Sequence, residues 1–221
     1  MGQHIKLESS AGTIDAYLAE PTGTPKGGVV VIQEIFGVNA HIRDVADRYA
    51  KAGYTAIAPA LFDHVEKNVE LGYDEAGMKK GIEIVTELGF DKPIADVEAA
   101  AKYIAKAGKI GTVGYCWGGS VAYLSAIKLG LPGVSYYGGR NTMFVEHKAK
   151  APLMFHYGEH DDHISADDRA KVQAANPDTP VYVYDAGHGF NCDQRGSFDA
   201  VAAALAYERT LSFFEKNLGA Q

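Results

Sequence analysis

Apolar residues fall along this chain in two rhythms. Short runs rich in β-branched residues recur at Gly28–Gln33, Tyr54–Ala58, Lys109–Gly114, Gly133–Tyr137, Pro152–Tyr157 and Val181–Tyr184. They are continuous rather than alternating, which predicts strands covered on both faces. Between them the apolar positions take helical spacing. Ile42, Val45, Ala46 and Tyr49 mark a helix over Asn39–Ala52, ended by Gly53; Ile94, Val97, Ala100, Ala101 and Ile104 mark another over Lys92–Ala107. Further helices are predicted over Asp74–Leu88, Val121–Leu129, Ala166–Ala175 and Phe198–Leu218. Two alternating segments, Gln3–Leu7 and Ile14–Ala19, joined through Ser9-Ser10-Ala11-Gly12, predict a hairpin. Strands alternating with helices imply an α/β fold with a mostly parallel, doubly wound sheet and right-handed crossovers. The polar stretch Leu61–Gly72 is expected to cross one end of that sheet and help shape a pocket.

At 221 residues and 47% hydrophobic, the chain is long enough to bury a full core, and a single domain over 1–221 is expected. A net charge of −7 with no basic run argues against a nucleic-acid surface. The N-terminus, Met1-Gly2-Gln3-His4-Ile5-Lys6, lacks the apolar stretch of a signal peptide. The run Val29-Val30-Val31-Ile32 is far too short to span a bilayer. Two cysteines, Cys116 and Cys192, make no disulfide framework. Together these point to a cytoplasmic protein in a reducing setting, with no membrane or nucleic-acid partner.

The chemistry concentrates at Gly114-Tyr115-Cys116-Trp117-Gly118-Gly119. An apolar strand ends at Gly114 and a helical pattern begins two residues past Cys116, so Cys116 stands at the apex of an abrupt turn. Gly-x-Cys-x-Gly-Gly is the nucleophile elbow of α/β-hydrolases with Cys in place of Ser, the glycines allowing strand and helix to approach closely. With 25 Gly and two Cys in 221 residues, chance supplies only about 0.003 such matches. A thiol of ordinary pKa is a few per cent thiolate at neutral pH and needs a base. His188, on the Gly-flanked turn after the last predicted strand, is placed to be that base. The loop Gly158-Glu159-His160-Asp161-Asp162-His163 supplies an orienting carboxylate, in the order nucleophile, acid, histidine. Spacing alone does not separate Asp161 from Asp162. His156, His160, Asp161, Asp162 and His163 could together pass for a metal site, but the spacing matches no zinc motif and the side chains should diverge. No metal or cofactor is expected.

With these residues in this order, the chain resembles the dienelactone hydrolase family over nearly its whole length. The resemblance rests on Gln33-Glu34-Ile35-Phe36-Gly37-Val38-Asn39, the elbow, Tyr136-Tyr137-Gly138, the acid loop, Ala186-Gly187-His188 and Tyr207-Glu208-Arg209-Thr210. It implies a monomeric α/β-hydrolase, with weak dimerisation left open, that opens enol-lactones or small activated esters through a thioester acyl-enzyme. Cys116 would be nucleophile, His188 base and Asp161 orienter, with the backbone N–H groups of Ile35 and Trp117 as oxyanion hole. Glu34 would contact the resting thiol and assist its deprotonation; a carboxylate close to sulfur disfavours thiolate and keeps the nucleophile quiet.

The family's carboxylate-binding arginines have no counterpart at the matching places, which read Leu61-Phe62-Asp63-His64 and Phe190-Asn191-Cys192-Asp193. A bidentate guanidinium is not replaced equivalently by His or Asn. His64 and Arg195 are the remaining candidate donors, and weak turnover of dienelactone is expected. Phe36, Tyr136 and Trp117 are candidates for an apolar wall, and Cys192 reads as an ordinary small buried residue, with a place near the mouth of the site as the alternative. Two other functions stay open: a non-catalytic binder of small acyl ligands, and a thiol redox sensor using Cys116 and Cys192.

Overall fold

The computed structural model of the chain describes residues 2–219; Met1 of the N-terminal segment read above lies outside them. Eight strands form one sheet: β1 (Gln3–Ser9), β2 (Gly12–Ala19), β3 (Gly28–Ile32), β4 (Thr55–Pro59), β5 (Ile110–Tyr115), β6 (Gly133–Tyr136), β7 (Leu153–Gly158) and β8 (Val181–Tyr184). Their spatial order is β1-β2-β4-β3-β5-β6-β7-β8. The hairpin β1–β2 is antiparallel and β2 meets β4 antiparallel, while every pairing from β4 to β8 is parallel. This is the mostly parallel, doubly wound α/β sheet expected from the two apolar rhythms. Strands β3, β4 and β6 are buried along their whole length, as continuous apolar runs require.

Six helices cover the sheet: α1 (Ala40–Lys51), α2 (Glu75–Leu88), α3 (Asp91–Tyr103), α4 (Trp117–Lys128), α5 (Ala166–Ala175) and α6 (Ala200–Leu218). Helices α1 and α6 share one face, where the Tyr49 ring packs 5.5 Å from Tyr207 and 5.9 Å from Phe214. Helix α4 lies against β5 and β6, and Asn176 at the end of α5 donates to Tyr123 of α4 at 2.9 Å. The first residues of two predicted helices are N-caps. Asn39 Oδ1 accepts the Ile42 N–H at 3.1 Å, and Asp74 Oδ1 accepts the Gly77 N–H at 2.8 Å.

Three local expectations are corrected. The stretch predicted as a helix over 92–107 is helical to Tyr103 and then tightens into a 3₁₀ turn, Ala105–Ala107. The region 61–72 begins with a 3₁₀ turn, Leu61–His64, tied to the end of β3 by the Leu61 N–H donating to Gln33 Oε1 at 3.1 Å. Helix α4 starts at Trp117, directly after the nucleophile position.

The chain leaves β3 toward β4 on one side and returns to β5 on the other. The loops after β3 and β5 therefore part at the sheet's carboxyl edge and leave a crevice between them. Glu34, Ile35 and Phe36 follow β3; Cys116 and Trp117 follow β5.

Candidate active site

Cys116 sits between β5 and α4 with φ 56° and ψ −123°, a left-handed conformation that costs a non-glycine residue about 1–3 kcal/mol. The surrounding glycines make that bend possible. A Cβ on Gly114 would overlap the Gly118 carbonyl, one on Gly118 would overlap the Gln33 carbonyl, and one on Gly119 would stand 2.7 Å from the Tyr136 carbonyl oxygen. Strand and helix approach so closely here that only glycine fits, and the sulfur is pushed up over the sheet edge.

His188 reaches Cys116 from the loop after β8. Its Nε2 lies 3.2 Å from Cys116 Sγ and its Nδ1 2.7 Å from Asp161 Oδ2. Asp161 is buried, and its other oxygen accepts the His163 N–H at 2.8 Å. Asp162 is exposed, so the ambiguity between adjacent acids resolves to Asp161. The Tyr137 ring, 5.1 Å away, and the His163 ring, 4.8 Å away and edge-on, wall in the imidazole. Burial alone would lower the His188 pKa, but the sulfur and the carboxylate on its two nitrogens outweigh that and push it up to about 10.

Glu34 is fully buried in the crevice, but its described hydrogen bonds do not go to the thiol. Oε2 accepts from the Tyr73 hydroxyl at 3.0 Å, and Oε1 lies 3.5 Å from Arg195 Nη1. The expected Glu34–thiol contact is replaced by the His188–Cys116 contact. Arg195 lies under the rings of Phe36 and Tyr73, 5.6 and 5.5 Å from their centroids.

A cavity of about 190 Å³ opens over the sulfur. Its apolar wall is Ile35, Phe36, Met78, Ile82, Val85 and Trp117; its polar side is Arg140, His163, His188 and Arg195. Phe36 and Arg195 thus stand where the sequence reading put them. Tyr136 does not: it is fully buried beneath the site and hydrogen-bonded to Thr210 Oγ1 at 2.8 Å. Nor does His64, whose Nε2 is drawn to the buried Asp96 at 2.7 Å. Arg140, His163 and the α2 residues Met78 and Ile82 were missed. Arg140 lay in plain view, four residues past the end of β6 at the same sheet edge; the α2 residues depend on how that helix folds over the crevice.

Trp117 opens α4, where the N–H groups of the first turn have no acceptor within the helix. Among the described residues the Ile35 N–H donates to no other group. The five residues that could have passed for a metal site do diverge. His156 bonds Tyr184 and Thr210 in the core, His160 pairs with exposed Asp185, and Asp161 faces His188. A larger groove of about 750 Å³, between Lys148, Asn176, Tyr182 and Arg209, contains none of the reactive side chains. No helix among the described residues is long and apolar enough to cross a membrane.

Comparison with known proteins agrees with this geometry. The sequence profile of the dienelactone hydrolase family matches residues 14–218. The chain is 35% identical to a candidate carboxymethylenebutenolidase of Synechocystis sp., covering 93% of this chain and 92% of that one. It is 34% identical to the carboxymethylenebutenolidase of Pseudomonas putida, covering 95% and 94%. Among solved structures, a candidate dienelactone hydrolase from Klebsiella pneumoniae superposes with a TM-score of 0.84 at 29% identity, over 98% of each chain. The chain belongs to the dienelactone hydrolase family, hydrolases built on the α/β-hydrolase fold.

Proposed function

We propose that this protein hydrolyses small lactones and activated esters through a thioester on Cys116. The observation that carries the reading is the chain of contacts from sulfur through His188 to buried Asp161, at 3.2 and 2.7 Å. His188, raised in pKa, takes the Cys116 proton across the 3.2 Å contact to give the thiolate. The thiolate attacks the acyl carbon; the oxyanion formed is held by the Ile35 and Trp117 N–H groups; the imidazolium protonates the leaving oxygen as the carbon–oxygen bond breaks. His188, now neutral, takes a proton from water, which releases the acid and restores the thiolate. Asp161 keeps the ring in register throughout.

Glu34 anchors Arg195 at the rim of the cavity. Arg195 and Arg140 give the pocket two guanidinium groups from places other than the family's usual ones, so substrates bearing a carboxylate are favoured. Carboxymethylenebutenolidase is the activity named for the Pseudomonas relative, and this pocket chemistry supports the same substrate class here.

The experiment is a panel of dienelactone, neutral lactones and p-nitrophenyl acetate, each compared with Cys116→Ala. Turnover by wild type and background rates in the variant are expected. Equal rates in both would leave only a binding protein on a hydrolase fold. Dienelactone turned over no better than neutral lactones would remove the carboxylate preference.

A further inference from the structure

At Glu34 three side chains of different donor type meet. Glu34, His41 of α1 and Cys192 of the loop before α6 are all buried, and each presents a ligand atom within 4.8 Å of the others. His41 is fully enclosed, yet among the described residues neither ring nitrogen has a hydrogen-bond partner. The nearest carboxylate beyond the cluster, Asp193 Oδ1, stands 3.6 Å from Nδ1, outside hydrogen-bond reach. A buried imidazole with two idle nitrogens is rare, because such groups are costly to leave unpaired. The hydrolytic reading uses neither His41 nor Cys192.

We propose that Glu34, His41 and Cys192 form a binding site for a zinc ion. Carboxylate, imidazole and thiolate are all zinc ligands, and a set containing sulfur discriminates against calcium and magnesium. Tetrahedral zinc with bonds of about 2.0–2.3 Å holds its ligands ~3.5 Å apart, so the three atoms need to close by roughly 1 Å. The charges balance: one dication against one carboxylate, one thiolate and a neutral ring. Among the described residues both His41 ring nitrogens lack a partner, so one can give its lone pair to a metal. Binding releases the Cys192 thiol proton to solvent as the sulfur–zinc bond forms, so affinity rises with pH. The occupied site would pull Glu34 away from Tyr73 and Arg195.

The test uses cobalt(II) as a spectroscopic stand-in for zinc on the full-length protein. In Cys116→Ala the only remaining thiol of the chain is Cys192. A thiolate-to-cobalt charge-transfer band saturating at one equivalent, reversed by added zinc, is expected in that variant. His41→Phe in the same background should weaken cobalt binding at least tenfold, and Cys192→Ser should abolish the band. Absence of the band in Cys116→Ala overturns the proposal whether or not the other variants fold. So does undiminished affinity in His41→Phe, which would place the metal elsewhere, as at the exposed Glu159–His160–Asp185 cluster. None of these readouts depends on hydrolysis, so the outcome leaves the enzymatic reading to its own test.

Discussion

Arg195 Nη1 stands 3.5 Å from Glu34 Oε1, and the two side chains are 12% and 0% exposed. The guanidinium is the only cation among the described residues paired with that buried carboxylate, whose other partner is the neutral Tyr73 hydroxyl. Removing one member of a buried pair strands the other charge, which is worse than never having the pair. Arg195→Ala is therefore expected to lower unfolding stability by about 3 kcal/mol. Adding Glu34→Gln should restore part of it, with a coupling of about 1 kcal/mol or more in a double-mutant cycle read by urea denaturation. Strict additivity would mean that the two groups do not sense each other.

His188 should titrate far from an ordinary histidine. Its folded pKa, about 10, lies above the unfolded value of about 6.5. The stability this contributes is full below the unfolded value and is lost as pH rises through the folded one. Ring ¹⁵N shifts followed by NMR are expected to show the ring protonated through neutral pH. In Cys116→Ser the chief raising interaction is removed, and the midpoint should move down toward the ordinary value. A wild-type midpoint near 6.5 would mean that the sulfur and the Asp161 carboxylate do not hold the proton on the ring.

The elbow was legible because its requirement is local: three glycines around one cysteine describe a bend that no other spacing satisfies, and close backbone contacts at Gly114, Gly118 and Gly119 account for each. The sheet was legible for a similar reason, since continuous β-branched runs suit only strands covered on both faces. Side-chain direction was not. Asp161 and Asp162 are chemically equal in sequence, and only the loop's turn sends one inward and the other to solvent. His64 stands near the position of a family arginine, but an acid on α3, distant in sequence, turns it into the protein interior. Glu34 likewise takes its partners from residues 73 and 195, and no local pattern announces either.

The His64–Asp96 pair should matter to folding and little to catalysis. Asp96 is fully buried, held by His64 at 2.7 Å and by the Ser9 hydroxyl at 2.6 Å, and so ties the region after β4 to α3 and the first hairpin. In His64→Ala the carboxylate keeps only the serine. A stability loss of about 3 kcal/mol is expected, with ester turnover by the remaining folded protein within about twofold of wild type. A selective rise in KM for carboxylate-bearing substrates, without loss of stability, would instead return His64 to the substrate pocket.

Gly118→Ala gives the sharpest test of how the bend serves the chemistry. A methyl group there would overlap the Gln33 carbonyl at the end of β3, and that carbonyl is backbone, with no rotamer to relieve the clash. To admit it, β3 and the start of α4 must separate. These are the two segments that carry the Ile35 and Trp117 N–H groups. Overpacking of this kind costs about 1–3 kcal/mol of stability. Misplacing an oxyanion donor costs about 100-fold or more in turnover. The variant should therefore fold with a lowered melting temperature and lose kcat on p-nitrophenyl acetate by about two orders of magnitude, while Cys116 remains open to alkylation by iodoacetamide. Near-normal kcat in a folded Gly118→Ala protein would mean that the close approach of the two segments is not what holds the donors in place.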